Sequence, residues 1–120
     1  MKIAVTSTAP TLDAEVDPRF GRAAMFVVVD AETWAFDVVD NKQNVEAAQG
    51  AGIQAARTVI ETGAGVVITG HTGPNAFRTL SAGGVRLVLG AKGTVKQAVE
   101  QFTSGKLKAA DSADVEGGWV

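Results

Sequence analysis

The only histidine of the chain lies in a short segment that has the composition of an anion-binding turn. His71 stands between two glycines in the run Gly70–Asn75, in which Pro74 suits the first turn of a helix. The first backbone N–H groups of a helix have no partner inside it, and they attract negatively charged groups. This run therefore predicts a helix start that can donate hydrogen bonds to an anion.

Basic side chains accompany two further loops of similar character. Gly90–Gly93 contains Lys92 and offers a second helix start, and Arg19 and Arg22 close a long polar loop over Ser7–Gly21. Together these features describe an anion pocket. The plainer interpretation is ordinary turn chemistry, in which the glycines supply left-handed backbone and the histidine faces solvent.

The residue counts exclude several kinds of chemistry. The chain has 120 residues, no cysteine and one histidine, so disulfides, thiolate-held zinc or iron–sulfur clusters and multi-histidine sites cannot form within it. No P-loop, dinucleotide-binding or G-x-S-x-G pattern is present. Carboxylates for nuclease chemistry are lacking in the first strand, and Asp30 and Asp40 lie at strand ends where turn roles suffice. The sequence therefore predicts a protein that is not an enzyme.

Charge is unevenly distributed beneath a net charge of −2. Residues 11–46 hold eight acids and three bases, whereas residues 57–108 hold seven bases and two acids. These bases form either a local cationic face or a set of solvating charges. The net charge argues against a nucleic-acid partner, and no apolar run approaches the ~20 residues of a membrane helix. The first residues are typical of a strand rather than of a signal peptide, so we expect a cytoplasmic protein.

Strand and helix patterns alternate in the order β-β-β-α-β-α-β-α. Such alternation after an initial hairpin demands parallel strands with right-handed crossovers. We predict a three-layer α/β/α domain over residues 1–108, with a five-stranded mixed sheet containing one antiparallel strand, and a flexible tail over residues 109–120. The predicted strands are Lys2–Thr6, Ala24–Asp30, a run in which Trp34, Phe36 and Val38 share one face, Val66–Thr69 and Val85–Leu89. Three helices are predicted. The first follows the loop Asn41–Gly52, the second begins near Pro74, and the third begins after Thr94, which forms a capping box with Gln97.

Open α/β sheets bind ligands beyond the carboxyl ends of their parallel strands. If the first, fourth and fifth strands are parallel, the loops Ser7–Gly21, Gly70–Asn75 and Gly90–Gly93 share that edge. The first of these loops is too long to be a mere connector. The predicted architecture therefore brings the anion-binding segments together.

Four segments of the chain carry recognisable motifs: Asp17–Ala23 with Phe26–Asp30, Gly50–Ala56, Val67–Phe77 and Gly93–Val99. In this order they resemble the motifs of the dinitrogenase iron–molybdenum cofactor biosynthesis family. The resemblance extends from Met1 to about Leu107 and implies a ribonuclease-H-like α/β/α fold. It also implies a protein that binds, carries or stores molybdenum-containing sulfide clusters. Small stand-alone members include nitrogenase cofactor carriers and a protein that holds a mixed molybdenum–copper sulfide cluster non-covalently, and the absence of cysteine favours the latter kind of member.

The resemblance and the predicted loops together indicate which residues would contact such a cluster. Cationic side chains, backbone N–H donors and apolar contacts, for which Phe20 and Phe77 are candidates, would retain a polyanion whose metals are saturated by sulfide. Direct metal ligation is not expected, although His71 could ligate copper, donate to a sulfide or simply occupy the turn. The predicted contact residues are Arg19, Phe20, Gly21, Arg22, His71, Thr72, Gly73, Pro74 and Asn75.

Two other functions are compatible with a fold of this class. A scaffold or regulatory module would bind a partner protein through the bases of residues 57–108 and would hold no metal of its own. A nuclease is suggested by the fold alone, and the first strand lacks the acid that it would need. Partner proteins of a larger complex are compatible with a cluster carrier as well.

Overall fold

The computed structural model describes residues 1–42 and 50–110, and it confirms the predicted order of strands and helices over these residues. The predicted loop Asn41–Gly52 therefore lies partly outside the described residues. The strands are β1 (Lys2–Ser7), β2 (Met25–Asp30), β3 (Phe36–Asp40), β4 (Val66–Ile68) and β5 (Arg86–Val88). The helices are α1 (Ala51–Glu61), α2 (Pro74–Ala82) and α3 (Val95–Thr103).

β1 lies at the centre of the sheet, whose strand order is β3-β2-β1-β4-β5. It pairs in parallel with β4, and β4 pairs in parallel with β5, whereas β2 runs antiparallel to both of its neighbours. β2 is therefore the single antiparallel strand among the described strands, as predicted. The carboxyl ends of β1, β4 and β5 consequently meet at one edge, which we call the loop edge.

Apolar residues bury both faces of the sheet. Successive side chains of a strand point to opposite faces, so Ala4 of β1 packs with α1 and α2, while Ile3 and Val5 pack with α3. The continuous apolar run of β2 divides in the same way, with Phe26 on one face and Val27 on the other. These contacts confirm the three-layer α/β/α architecture. None of the described helices is long and apolar enough to cross a bilayer.

The predicted place of Trp34 on the third strand is wrong. β3 begins at Phe36, and Trp34 lies in the preceding hairpin turn with a φ of 66°, which is rare for a bulky residue. Its ring packs on the α3 side of the core, and Lys96 Nζ lies 5.8 Å from the ring centroid. This distance is typical of a cation–π contact, so core packing and a cation compensate for the unfavourable backbone conformation.

Asp30 and Asp40 have the turn roles that the sequence predicts. The Asp30 carboxylate accepts hydrogen bonds from the backbone N–H groups of Glu32, at 2.8 Å, and Thr33, at 3.3 Å. These bonds favour the charged form and lower the pKa of Asp30 below its ordinary value. The Asp40 carboxylate accepts from the Lys42 N–H at 2.8 Å. No group of three or more His, Asp and Glu side chains in the described part of the chain could hold a metal ion.

The last described residues continue along the outer side of β5. Ala109 forms a bridge with Val88, and the Ala110 N–H donates to the Leu87 carbonyl at 2.7 Å. Ala109 and Ala110, the first two residues of the predicted tail, are therefore paired with β5. The rest of the predicted tail, residues 111–120, lies outside the described residues.

The start of α3 is held by the capping box that Thr94 and Gln97 predict. Thr94 Oγ1 accepts from the Gln97 N–H at 3.1 Å, and Gln97 Oε1 accepts from the Thr94 N–H at 2.9 Å. Replacing Thr94 with alanine should lower the free energy of unfolding by about 1 kcal/mol, because a helical N–H loses its partner. Urea denaturation of the two proteins measures the difference.

The control is Thr103→Ala at the exposed end of the same helix, where the hydroxyl bonds only to the Glu100 carbonyl. We expect this variant to change stability by less than about 0.5 kcal/mol. Equal losses at Thr94 and Thr103 would contradict the capping role.

Candidate functional site

The three predicted loops meet at the loop edge through backbone hydrogen bonds. The His71 N–H donates to the Pro18 carbonyl at 2.8 Å, and the Phe20 N–H donates to the His71 carbonyl at 3.1 Å. The long loop and the loop before α2 thereby form a parallel bridge. The Gly90 N–H donates to the Gly70 carbonyl at 2.9 Å and joins the third loop. The prediction that these loops share one edge is confirmed.

Gly70 is the point at which the long loop comes closest to the end of β4. A Cβ atom on Gly70 would lie 2.7 Å from the Pro18 carbonyl oxygen and 2.8 Å from Pro18 Cα. Both are backbone atoms, so neither can move aside unless the loop itself moves. The absence of a side chain at this position is therefore a condition for the contact between the two loops.

Two buried threonines fasten the long loop to the ends of β1 and β4. Thr6 Oγ1 donates to the Asp17 carbonyl at 2.7 Å and lies 2.9 Å from Thr69 Oγ1. Both threonines are fully buried, where a hydroxyl group needs a partner. The Asp17 carboxylate in turn accepts from the Arg19 N–H at 3.1 Å and fixes the backbone beneath that arginine. A threonine at the end of each of two apolar strands is the sequence pattern that could have predicted this anchor for the long loop.

Asn41 fixes the other end of the long loop. Its side chain is fully buried, and Nδ2 donates to the carbonyl groups of Ala23, at 2.8 Å, and Gly21, at 3.4 Å. The sequence pattern placed Asn41 in a loop and gave it no role. The useful signal is its position directly after β3, where its amide group can reach back to the neighbouring loop.

The predicted contact residues belong to the two bridged loops and to the start of α2, and they differ in exposure. Phe20 is fully buried, and its ring centroid is 5.7 Å from that of Phe26. The ring therefore supports the loop from inside, and it offers no surface to a ligand. Phe77 is half-buried and packs against the same core. The others are exposed (Arg19, His71, Asn75), half-buried (Arg22, Pro74) or buried (Gly21, Thr72, Gly73).

The predicted anion-binding start of α3 is wrong. Thr94 and Gln97 satisfy each other in the capping box. The N–H groups of Val95 and Lys96 donate to carbonyl groups of the long loop, each at 2.9 Å. The first four N–H groups at this start are therefore used within the protein and are not available to an anion. Lys92 remains exposed on the loop before the helix.

The start of α2 is built differently. The residue before the helix is Gly73, so no side chain caps this start in the described part of the chain, and Pro74 follows at the first helical position. The first N–H groups of a helix without a side-chain cap can serve an external acceptor. Of the two helix starts that were predicted to bind an anion, the start of α2 is the one whose backbone N–H groups no described side chain caps.

Arg78 adds a cation to this open start, and the sequence prediction did not include it. Its guanidinium donates from Nη2 to Asn75 Oδ1, one helical turn away. Because arginine only donates, it occupies the acceptor of the Asn75 amide and leaves the Nδ2 donor for other partners. The spacing of Asn75 and Arg78 on a helix that begins at Pro74 is visible in the sequence, but this spacing alone does not select Arg78.

The bases of residues 57–108 lie at both ends of the sheet. Lys92 and Arg78 are near the loop edge, whereas Arg86 begins β5 at the opposite end, where its guanidinium lies 5.9 Å from the ring centroid of Phe102. The described bases therefore do not form one cationic face. The bases on the loops and helix of the candidate site are Arg19, Lys92 and Arg78, which are exposed, and Arg22, which is half-buried.

Comparison with known proteins decides the relationship of the chain. The profile of the dinitrogenase iron–molybdenum cofactor family matches residues 1–105. The chain belongs to this family. The match includes all three loops of the candidate site, and it confirms the resemblance found in the sequence.

Solved structures support the assignment of the chain to this dinitrogenase cofactor family. The apo form of the orange protein from Desulfovibrio gigas is 47% identical, and the alignment covers 95% of this chain and 96% of that chain with a TM-score of 0.92. A candidate NifB protein from Thermotoga, of the DUF35 family, is 32% identical, with 97% and 98% covered and a TM-score of 0.82. No curated protein matches the chain significantly. These relationships indicate a cofactor-related binding role.

Proposed function

We propose that this protein binds, and thereby carries or stores, a preassembled molybdenum–copper sulfide cluster without covalent bonds, and that it is not an enzyme. The observation that carries the proposal is the uncapped start of α2 beside the long loop. Cluster metals that are saturated by sulfide need no protein ligands, and the anionic sulfides accept hydrogen bonds. The relationship to the orange protein and to the family supports a metal-sulfide cargo.

The residues at the loop edge fit a polyanion by their donors and charge. Arg19 and His71 are exposed on the two bridged loops, and the α2 start contributes backbone N–H groups. Asn75 contributes its Nδ2 donor, and Arg78 contributes charge. A hydrogen bond to a charged group is worth about 1.5–3 kcal/mol, so a few such bonds suffice for retention. Phe20 then acts as a positioning residue rather than as an apolar contact.

The remaining predicted contacts complete this cradle in the proposal. Buried backbone of the two loops would form its floor, and the half-buried ring of Pro74 would give the soft sulfide surface an apolar neighbour. We assign His71 a role as a donor to sulfide, with copper ligation as the other outcome. The cradle residues are Arg19, Gly21, Arg22, His71, Thr72, Gly73, Pro74, Asn75 and Arg78.

Reconstitution tests the proposal. The purified protein is mixed with tetrathiomolybdate and copper, and the products are separated by gel filtration. We expect a visible chromophore to elute with the protein, and a colourless protein fraction would overturn the proposal. Stoichiometric molybdenum in protein purified from its native host would separate a carrier from a scaffold that holds no metal.

Arg78→Ala is expected to weaken cluster binding by about tenfold or more, which corresponds to the loss of one charge-assisted contact. The variant removes a positive charge from the α2 start and releases the Asn75 acceptor. Spectrophotometric titration of each protein with the preformed cluster measures the affinity. Arg57→Ala is the matched control, because it removes the same charge from an exposed position on α1. Equal effects of the two variants would show that Arg78 contributes only through the net charge of the protein.

A further inference from the structure

Within the described part of the chain, the outer strand β3 has no neighbouring strand along its outer edge. Within the described strands it pairs only with β2. The Asn41 N–H donates to the carbonyl that precedes β2 at 3.0 Å, and inward and outward residues alternate along an antiparallel strand. Val39 and Asp37 therefore bond inward to β2. Phe36 and Val38 direct their N–H and C=O groups outward.

The same two residues also expose apolar side chains. Phe36 is 41% exposed and Val38 is 42% exposed, and in the described part of the chain Met1 is the only other large apolar residue so exposed. Both side chains lie on the α3 face of the sheet, opposite Val29 and Val27. An edge strand with open backbone groups and apolar side chains is a template for another strand.

The charge of β3 distinguishes between possible partner strands. Asp37 and Asp40 are exposed, and the strand carries no base. Pairing with a second copy about a two-fold axis at Asp37 would place the two Asp37 carboxylates opposite each other. An axis at Val38 would place Phe36 opposite Asp40. The first arrangement is destabilised because like charges lie directly across the strand pair, and the second gives the Phe36 ring a carboxylate instead of an apolar neighbour. A strand with bases opposite the aspartates therefore fits better than a second copy.

We propose that the outer edge of β3 binds an extended segment of another protein, in which apolar residues alternate with lysine or arginine. The apolar residues would pack against Phe36 and Val38, and a base would lie opposite Asp37. The segment would add to the sheet beside β3, through backbone hydrogen bonds to the outward groups. β3 is separated from β1 by β2, so this surface is distinct from the loop edge and the proposal does not depend on the cluster.

A labelled peptide in which valine alternates with lysine tests this proposal by fluorescence anisotropy with the full-length protein. A scrambled peptide of the same composition controls for net charge. We expect the alternating peptide to bind and the scrambled one to bind at least about tenfold more weakly, a difference of about 1.4 kcal/mol. Absence of binding, or equal binding of both peptides, would overturn the proposal.

Two substitutions at one position test the backbone contact. Val38→Pro removes an outward N–H that the pairing with β2 does not use, and proline is tolerated on such an edge. Val38→Thr keeps the N–H and the strand propensity. We expect the proline variant alone to lose peptide binding, with circular dichroism reporting an unchanged fold. Equal binding by both variants would contradict strand addition. If the wild-type protein is a dimer and only Val38→Pro dissociates it, the occupant of the edge is a second copy instead.

Asp37→Lys tests the charge. The variant should no longer bind the valine–lysine peptide, and it should bind a peptide in which valine alternates with glutamate. An unchanged preference for the lysine peptide would contradict the role of Asp37 in partner choice.

Discussion

Replacing Phe20 with alanine is expected to lower the free energy of unfolding by about 3–5 kcal/mol. Phe20 has no exposed surface, and it packs in the core beneath α1 and α2 with its ring beside Phe26. Truncation removes the transfer free energy of the ring and leaves a cavity that the core can only partly close. Domains of this kind are stable by about 5–15 kcal/mol, so the loss is a large share of the total. Urea denaturation measures it.

Phe36→Ala is the matched control, because it removes the same atoms from a side chain that is 41% exposed. We expect it to cost less than about 1 kcal/mol, as for most surface substitutions. If Phe20→Ala leaves too little folded protein to measure, Phe20→Leu gives a smaller loss in a folded protein. A loss at Phe20 no greater than the loss at Phe36 would contradict its place in the core.

Gly70→Ala is expected to displace the long loop from the end of β4 and to cost on the order of 1–3 kcal/mol of stability. The new Cβ would lie 2.7 Å from the Pro18 carbonyl oxygen, which accepts the hydrogen bond from the His71 N–H. Relief of this overlap breaks the bridge that aligns the two loops. Hydrogen exchange at the His71 and Phe20 amides should therefore accelerate, and cluster affinity should fall by about tenfold or more if contacts worth 1.4 kcal/mol are lost.

Gly65→Ala is the control for this substitution, at the other end of β4. A Cβ on Gly65 meets no atom within 4 Å, so alanine can be accommodated and should change stability by about 1 kcal/mol at most. Exchange at the loop-edge amides should stay as in the wild type. Similar effects of the two alanines would show that the close approach at Gly70 is not required.

Much of the fold was predictable because its signals are local. Four consecutive apolar residues of β2 (Phe26, Val27, Val28 and Val29) predict burial on both faces without any knowledge of what covers them. The capping box of Thr94 and Gln97 is readable because both partners belong to one helical turn. The order of the strands and the shared loop edge then follow from the rules for parallel connections.

The failures concern groups whose partners are remote in the sequence. The start of α3 could be expected to bind an anion until the structure showed that carbonyl groups of the long loop accept from Val95 and Lys96. Phe20 lies between polar residues in a loop, and only the assembled core shows its contact with Phe26. Alternation placed Trp34 on β3 because a side-chain pattern cannot report a positive φ.

Arg78 could be chosen only after α2 was known to lack a side-chain cap. Its spacing from Asn75 was visible in the sequence, but similar spacings occur on any helix. The sequence therefore predicts the sheet edge at which the candidate site lies and its anion-binding character, whereas the choice of individual side chains depends on tertiary contacts.

The central place of β1 also bears on the order in which the protein folds. β1, β2 and β3 are consecutive in the chain and neighbours in the sheet, so their pairing closes short loops. The seam between β1 and β4 joins distant segments, and Thr6 and Thr69 across it are 63 residues apart. Contacts of such separation slow folding. The bridge between the long loop and His71 spans this seam, so we expect the loop edge to form after β1, β2 and β3 have paired. Under the proposed function, a nascent chain would load its cargo only once β4 has docked.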